Sequence, residues 1–155
     1  MPGQFQVFYV RFHLAEQDPE IPGQQYHTTI FVETDADGSG TLHHVTGDVS
    51  SRNGMRYIPT RRGPPRSARS FESMEYLGIT DAITHPELWS ALLSTIPNPP
   101  QQKAFNIVTR RFEQFKTLDP LTFYEPGEPR PPLVKCTEWT LNKAIPALRH
   151  SGLIR

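Results

Sequence analysis

Lys135-Cys136-Thr137-Glu138-Trp139-Thr140 is the stretch on which the fold reading turns. It holds the only cysteine of the 155-residue chain. The proline-rich run from Pro126 to Pro132 precedes it, followed by the short apolar pair Leu133-Val134. After it, Trp139, Leu141, Ala144, Ile145 and Leu148 recur near helical spacing. Cys136 is therefore expected where an extended segment turns into a helix. A thiol in a first helical turn faces free backbone N–H groups and the positive end of the dipole. That setting favours the thiolate, which is the nucleophilic form. The competing reading is a small buried hydrophobe, the common fate of a free cysteine. Pro146 should kink or break the last helix, because it cannot supply a backbone N–H.

Outward from this stretch the chain reads as one domain over residues 1–155. Apolar residues make up 36% and charged residues 21%, so a packed core is available. Sixteen basic residues balance sixteen acidic ones, which gives no reason to expect nucleic acid or an anionic membrane as a partner. Sixteen prolines, about twice the usual share, forecast long irregular connections. A single cysteine allows no internal disulfide, and no run approaches the roughly 20 apolar residues of a membrane span. With no signal-peptide pattern at Met1-Pro2-Gly3-Gln4, a soluble cytoplasmic protein is the expectation.

Residues 5–14 alternate as a strand, with Phe8, Val10, Phe12 and Leu14 on one face. Residues 26–33 and 41–46 read as a hairpin around the turn Asp35 to Gly40, and Met55 to Thr60 as a further short strand. Phe71 to Ile79 fits strand or helix. His85-Pro86 opens a short helix through Leu93. Asn98-Pro99 opens a longer one with Phe105, Val108, Phe112 and Phe115 as a core-facing stripe, ended by Asp119-Pro120. Strands first and helices later make an α+β domain: a small antiparallel sheet with a histidine-bearing hairpin, packed against C-terminal helices.

Two segments resemble ligand sites. Asp35-Ala36-Asp37-Gly38-Ser39-Gly40 starts like an EF-hand loop, but position twelve falls on Thr46 instead of Glu, and strands flank it. A hairpin turn uses the same residues. Arg61, Arg62, Arg66 and Arg69 form a basic loop, read as solvated or as a hold for an acidic partner.

The hairpin carries His27, His43 and His44. Adjacent strand residues point to opposite faces, so register decides which of the last two shares a face with His27. If residue 27 or 29 lies opposite 44, the partner is His44; if 27 lies opposite 43, it is His43. A nucleophilic cysteine needs a base within reach, and the base needs a third polar group to orient it.

Tyr26-His27-Thr28-Thr29-Ile30-Phe31-Val32, then Leu42-His43-His44-Val45, then Cys136-Thr137-Glu138-Trp139 resembles the circularly permuted papain-like families. These include lecithin:retinol acyltransferase-like proteins and permuted NlpC-type hydrolases. The resemblance implies a permuted papain-like fold with Cys136 as nucleophile, His27 as base and His44 as third member. It also implies that the Cys136 backbone N–H serves an oxyanion site. Lys135 before the cysteine departs from the acyltransferase pattern, and Cys-Thr-Glu is closer to the hydrolase branch. The implied activity is a thiol-dependent hydrolase or acyltransferase acting on an amide, ester or thioester, with a small-molecule or peptide acyl substrate and no cofactor. Residues 47–134 carry no matching motif. A non-catalytic binding module of the same fold, or a mixed His/Cys metal site, remain as alternatives.

Overall fold

The computed structural model describes residues 3–155. β1 (Gln4–His13) and β2 (Tyr26–Glu33) pair antiparallel, and β3 (Gly40–His43) returns beside β2 through the Asp35–Ser39 turn. That turn is closed by Ser39 and Asp35 carbonyls and by Gly38 at φ +89°, and Asp35 is held by Arg61 at 2.7 Å. It is a hairpin turn flanked by strands. β4 (Val45–Gly47) and β5 (Met55–Tyr57) form a separate two-stranded ribbon. β6 (Thr60–Arg62) and β7 (Phe71–Asp81) complete a five-stranded sheet in the order β6-β3-β2-β1-β7.

Period-two alternation in β2 sends Ile30 and Val32 to one face and Phe31 to the other. The first face meets Val7, Val45, Trp89 and the C-terminal helix in the larger core. The second collects Val10, Phe31 and Leu42 under Phe12 and Phe71. α1 (Glu87–Leu93) follows Pro86 as its opening turn and buries Trp89 and Leu93. The expected strand over 41–46 is interrupted at His44, where the chain leaves the large sheet for the ribbon.

The long helix expected from Asn98 does not form. Residues 103–123 build a three-stranded antiparallel sheet from β8 (Lys103–Asn106), β9 (Arg111–Leu118) and β10 (Leu121–Phe123). Phe105 lies opposite Phe112, and their rings meet edge-on at 5.5 Å. Of the residues expected in the core, Phe105, Val108 and Phe112 are instead exposed, Val108 at 86%, and Phe115 is half-buried. Strands therefore also follow the first helix, against the expected order of strands first and helices later.

The helical end begins with α2 (Cys136–Trp139), widens into a π-helical turn over Thr140–Ala144, and resumes as α3 (Ile145–His150). The widening precedes Pro146, which cannot donate to the carbonyl four residues back. The Ile145 N–H reaches the Thr140 carbonyl, one residue further than in an α-helix. The helix therefore bends without ending. The chain end also pairs with β7, exchanging backbone bonds between Ile79 and Arg155 at 2.9 Å. The architecture is α+β with mainly antiparallel sheet. Among the described residues, no helix is long and apolar enough to cross a membrane.

Candidate active site

Cys136 sits in the first turn of α2, as expected. The Glu138 carboxylate accepts the Lys135 backbone N–H at 2.6 Å and closes that turn. The Thr137 and Thr28 hydroxyls meet at 2.8 Å, and the Thr140 hydroxyl donates to the Thr28 carbonyl at 3.3 Å. These bonds fix the helix start against β2. The thiol is buried and donates to the Tyr26 carbonyl at 3.6 Å. Burial pushes the thiol upward, outweighing hydrogen bonds from the Thr28 and Thr137 backbone. The expected bias towards thiolate is thus reversed in this resting arrangement, because desolvation penalises the charged form.

Register settles the histidine pairing. Ile30 lies opposite His43, so the same ladder, continued one step, sets Thr29 opposite His44. His27 and His44 consequently share a face, with His27 Nε2 at 2.8 Å from His44 Nδ1. His44 Nε2 is 3.2 Å from the Thr60 hydroxyl, and that hydroxyl donates to the Ile58 carbonyl. One placement of the protons fits this chain of bonds. With the Thr60 hydrogen directed to Ile58, its oxygen accepts from His44 Nε2–H. His44 Nδ1 is then an acceptor, filled by His27 Nε2–H. His27 Nδ1 is left with a free lone pair.

Both rings are held neutral. Burial lowers His27, with the Arg62 guanidinium adding to it. Burial also lowers His44 to about 4, helped by His27 and Arg62. His27 and Cys136 line one cavity of about 270 Å³, together with Leu14, Val45 and Met55. Among the described residues no hydrogen bond joins them. A second cavity of about 340 Å³, walled by Tyr9, Ile21 and Tyr26, is also lined by Cys136. Cys136 thus borders two cavities. Arg62 lines a third, of about 400 Å³, against the His27–His44 pair.

His43 points away from this group. Its Nδ1 meets the Tyr57 hydroxyl at 2.7 Å and its Nε2 meets His85 Nε2 at 2.8 Å, beside Trp89. The sequence placed His85 only at the start of a helix, and showed neither this network nor the role of Thr60. Nothing local marks them: they lie in separate segments that only the folded sheet brings together.

Among the described residues, no group of three or more histidine, cysteine and carboxylate side chains is placed to hold a metal ion. No curated protein and no solved structure matches the chain. One family profile does, over residues 13–155, and that span contains His27, His44 and Cys136. On that match the chain belongs to DUF6540, a family of unknown function.

Proposed function

We propose that the protein is a thiol-dependent hydrolase or acyltransferase of permuted papain-like fold, acting on an amide, ester or thioester. One observation carries the reading: the bonded His27–His44 pair stands at a cavity that His27 and Cys136 both line, and the tautomer that fits its bonds leaves His27 Nδ1 free to accept a proton. The thiol and the imidazole both start neutral, so the proton moves during attack. Cys136 Sγ bonds to the acyl carbon as its proton passes to His27 Nδ1. The carbonyl π pair goes to oxygen, and the Cys136 backbone N–H is available to it. Collapse expels the leaving group, which takes the proton back from His27. Water or a second nucleophile then cleaves the thioester, giving its proton to His27 and finally to the departing thiolate. His44 positions His27 and fixes its tautomer. The substrate is a small-molecule or peptide acyl compound, met in a cytoplasmic setting that suits a lone unpaired cysteine.

A second reading, a binding module without chemistry, is favoured by the Cys136 thiol being tied to the Tyr26 carbonyl. Iodoacetamide alkylation of Cys136, run from about pH 5 to 9 in the parent and His27→Ala, separates the two. The catalytic reading expects alkylation that slows by an order of magnitude or more without His27. An unreactive thiol, or one indifferent to His27, leaves the binding module.

A further inference from the structure

The cavity of about 340 Å³ that Cys136 lines also holds a cation that the thiol chemistry does not use. Arg11 lies on β1, opposite Thr28 of β2 and Ser73 of β7. Tyr9, two residues earlier, packs with Ile30, Cys136 and Trp139 in the larger core. Side chains two apart on a strand share a face, so Arg11 rises on the sheet face that α2 covers. The hydroxyl of Thr28, its cross-strand neighbour, meets that of Thr137 at 2.8 Å, and Thr137 directly follows Cys136. Register and helix docking together bring Arg11 and the thiol into the lining of one cavity.

Three charged side chains line that cavity: Arg11, Lys135 and Glu138. Two of them are engaged elsewhere. Lys135 Nζ is 3.0 Å from the Asp18 carboxylate, and the Glu138 carboxylate accepts the Lys135 N–H at 2.6 Å. Arg11 has no carboxylate within ion-pair range among the described residues. Glu72, beside Ser73 on β7, pairs with His13 instead. The Arg11 guanidinium is nevertheless held in place. Its Nε donates to the Ser73 hydroxyl at 2.9 Å, and its central carbon lies 4.6 Å from the centre of the Tyr26 ring. Arg11 is also half-buried, so its charge is partly stripped of water. A fixed guanidinium with Nε engaged and no acid of its own keeps its two terminal nitrogens for two-pronged recognition of a carboxylate.

We infer that this cavity takes a small acyl substrate bearing a carboxylate, which Arg11 holds while the acyl carbon stands at Cys136. The inference rests on the thiol-dependent reading above and names a substrate class for it: an acidic amide, ester or thioester. The cavity's size suits a small compound.

Iodoacetate and iodoacetamide alkylate a thiolate by the same displacement of iodide and differ only in a carboxylate against an amide. Their rates at Cys136 are compared in the full chain at about pH 8, near the ordinary thiol value. The ratio of the iodoacetate rate to the iodoacetamide rate should exceed that of free cysteine. It should fall about tenfold in Arg11→Gln, the loss of one charge-assisted contact. Arg11→Lys should retain part of it, because it keeps the charge and loses the fork. His27→Ala should slow both reagents and leave the ratio. Failure of the thiol–imidazole pair therefore reads in the rates, and failure of Arg11 in the ratio alone. A ratio equal to that of free cysteine, or one that Arg11→Gln leaves unchanged, overturns the inference. If neither reagent labels the thiol, the Arg11 Nε–H resonance, assigned through Arg11→Gln, decides. Succinamate carries an amide and a carboxylate and should shift that resonance saturably at millimolar concentration, while the uncharged succinamide should not. A resonance that ignores succinamate, or answers both compounds alike, overturns the inference.

Discussion

Asp18 is the sharpest place to test how the segment around the thiol is held. It lies in the 14–25 connection between β1 and β2, and its carboxylate takes three donors. Lys103 Nζ approaches at 3.1 Å, Lys135 Nζ at 3.0 Å and the Glu20 N–H at 3.0 Å. The Asp18 and Lys103 side chains are 7% and 9% exposed, so this is a buried ion pair, and Lys135 directly precedes Cys136. Removing one partner of a buried pair costs about 3–5 kcal/mol, because the other charge stays desolvated. Here Glu20 remains 3.4 Å from Lys103, and Lys135 is partly open to solvent. Asp18→Asn should therefore cost about 2–3 kcal/mol at pH 7, a large part of a typical domain's stability. Burial alone would raise the Asp18 carboxyl, but the Glu20 amide and the two lysines outweigh it and hold it below its ordinary 3.8. A depressed carboxylate contributes stability that is full above the unfolded value and is lost as pH falls through the folded one. The gap between parent and variant in urea melts should thus be full at pH 7 and narrow as pH falls below 3.8. Releasing Lys135 should also speed alkylation of Cys136. A cost under about 1 kcal/mol at pH 7, or a gap that persists in acid, would refute the reasoning.

The buried histidines also cost stability on the acid side, but starting at a higher pH. Burial holds His44 and His85 down to about 4 and His43 well below its ordinary value. The unfolded chain takes up protons first as pH drops past 6.5, so stability is full above that point and falls towards pH 4. The unfolding free energy from urea melts should decline by up to about 1.4 kcal/mol per pH unit for each such histidine, less steeply in His85→Asn, and a flat profile would exclude the effect. Gly54→Ala should lower stability by about 1–3 kcal/mol. Gly54 stands at φ +65°, and an added Cβ would lie 2.5 Å from the Pro99 carbonyl, which is backbone and cannot yield; a thermal melt matching the parent would count against this.

What was legible in the sequence was the part governed by local pattern. Alternation from Phe5 to Leu14 and from Tyr26 to Glu33 gave β1 and β2 almost to the residue, because both strands keep apolar side chains on their buried faces. The prolines of 126–132 and the apolar spacing after Cys136 placed the helix start correctly. The 98–118 stretch misled for a physical reason. Phe105, Val108, Phe112 and Phe115 recur at helical intervals, yet in a hairpin the seven-residue separation of 105 and 112 sets them opposite each other across the turn. The run Ile107-Val108-Thr109 is β-branched and was the local warning against a helix. Arg110, at φ +60°, supplies the left-handed residue of the turn. The buried residues of β8 and β9 are Lys103, Ala104 and Gln114, two of them polar, so no hydrophobic period could have marked the inward face.

The candidate site shows the same division. The family resemblance implied three residues, but read from the residues alone the choice between His43 and His44 rested on register parity, which no single strand reveals. With Ile30 opposite His43, the two neighbouring histidines split between faces. His44 joins His27 and Thr60, while His43 joins Tyr57 and His85. The strand break at His44 sharpens the division, since β3 ends at His43 and the next strand pairs with β5 instead. A one-residue slip of β3 that set His43 opposite Thr29 would put His43 on the face of His27 and Leu42 where His43 stands, leaving His85 and Tyr57 without that partner. The His43–Tyr57–His85 network therefore does more than fill the core. By making the alternative register leave buried polar groups unpaired, it selects the register that sets His44 against His27.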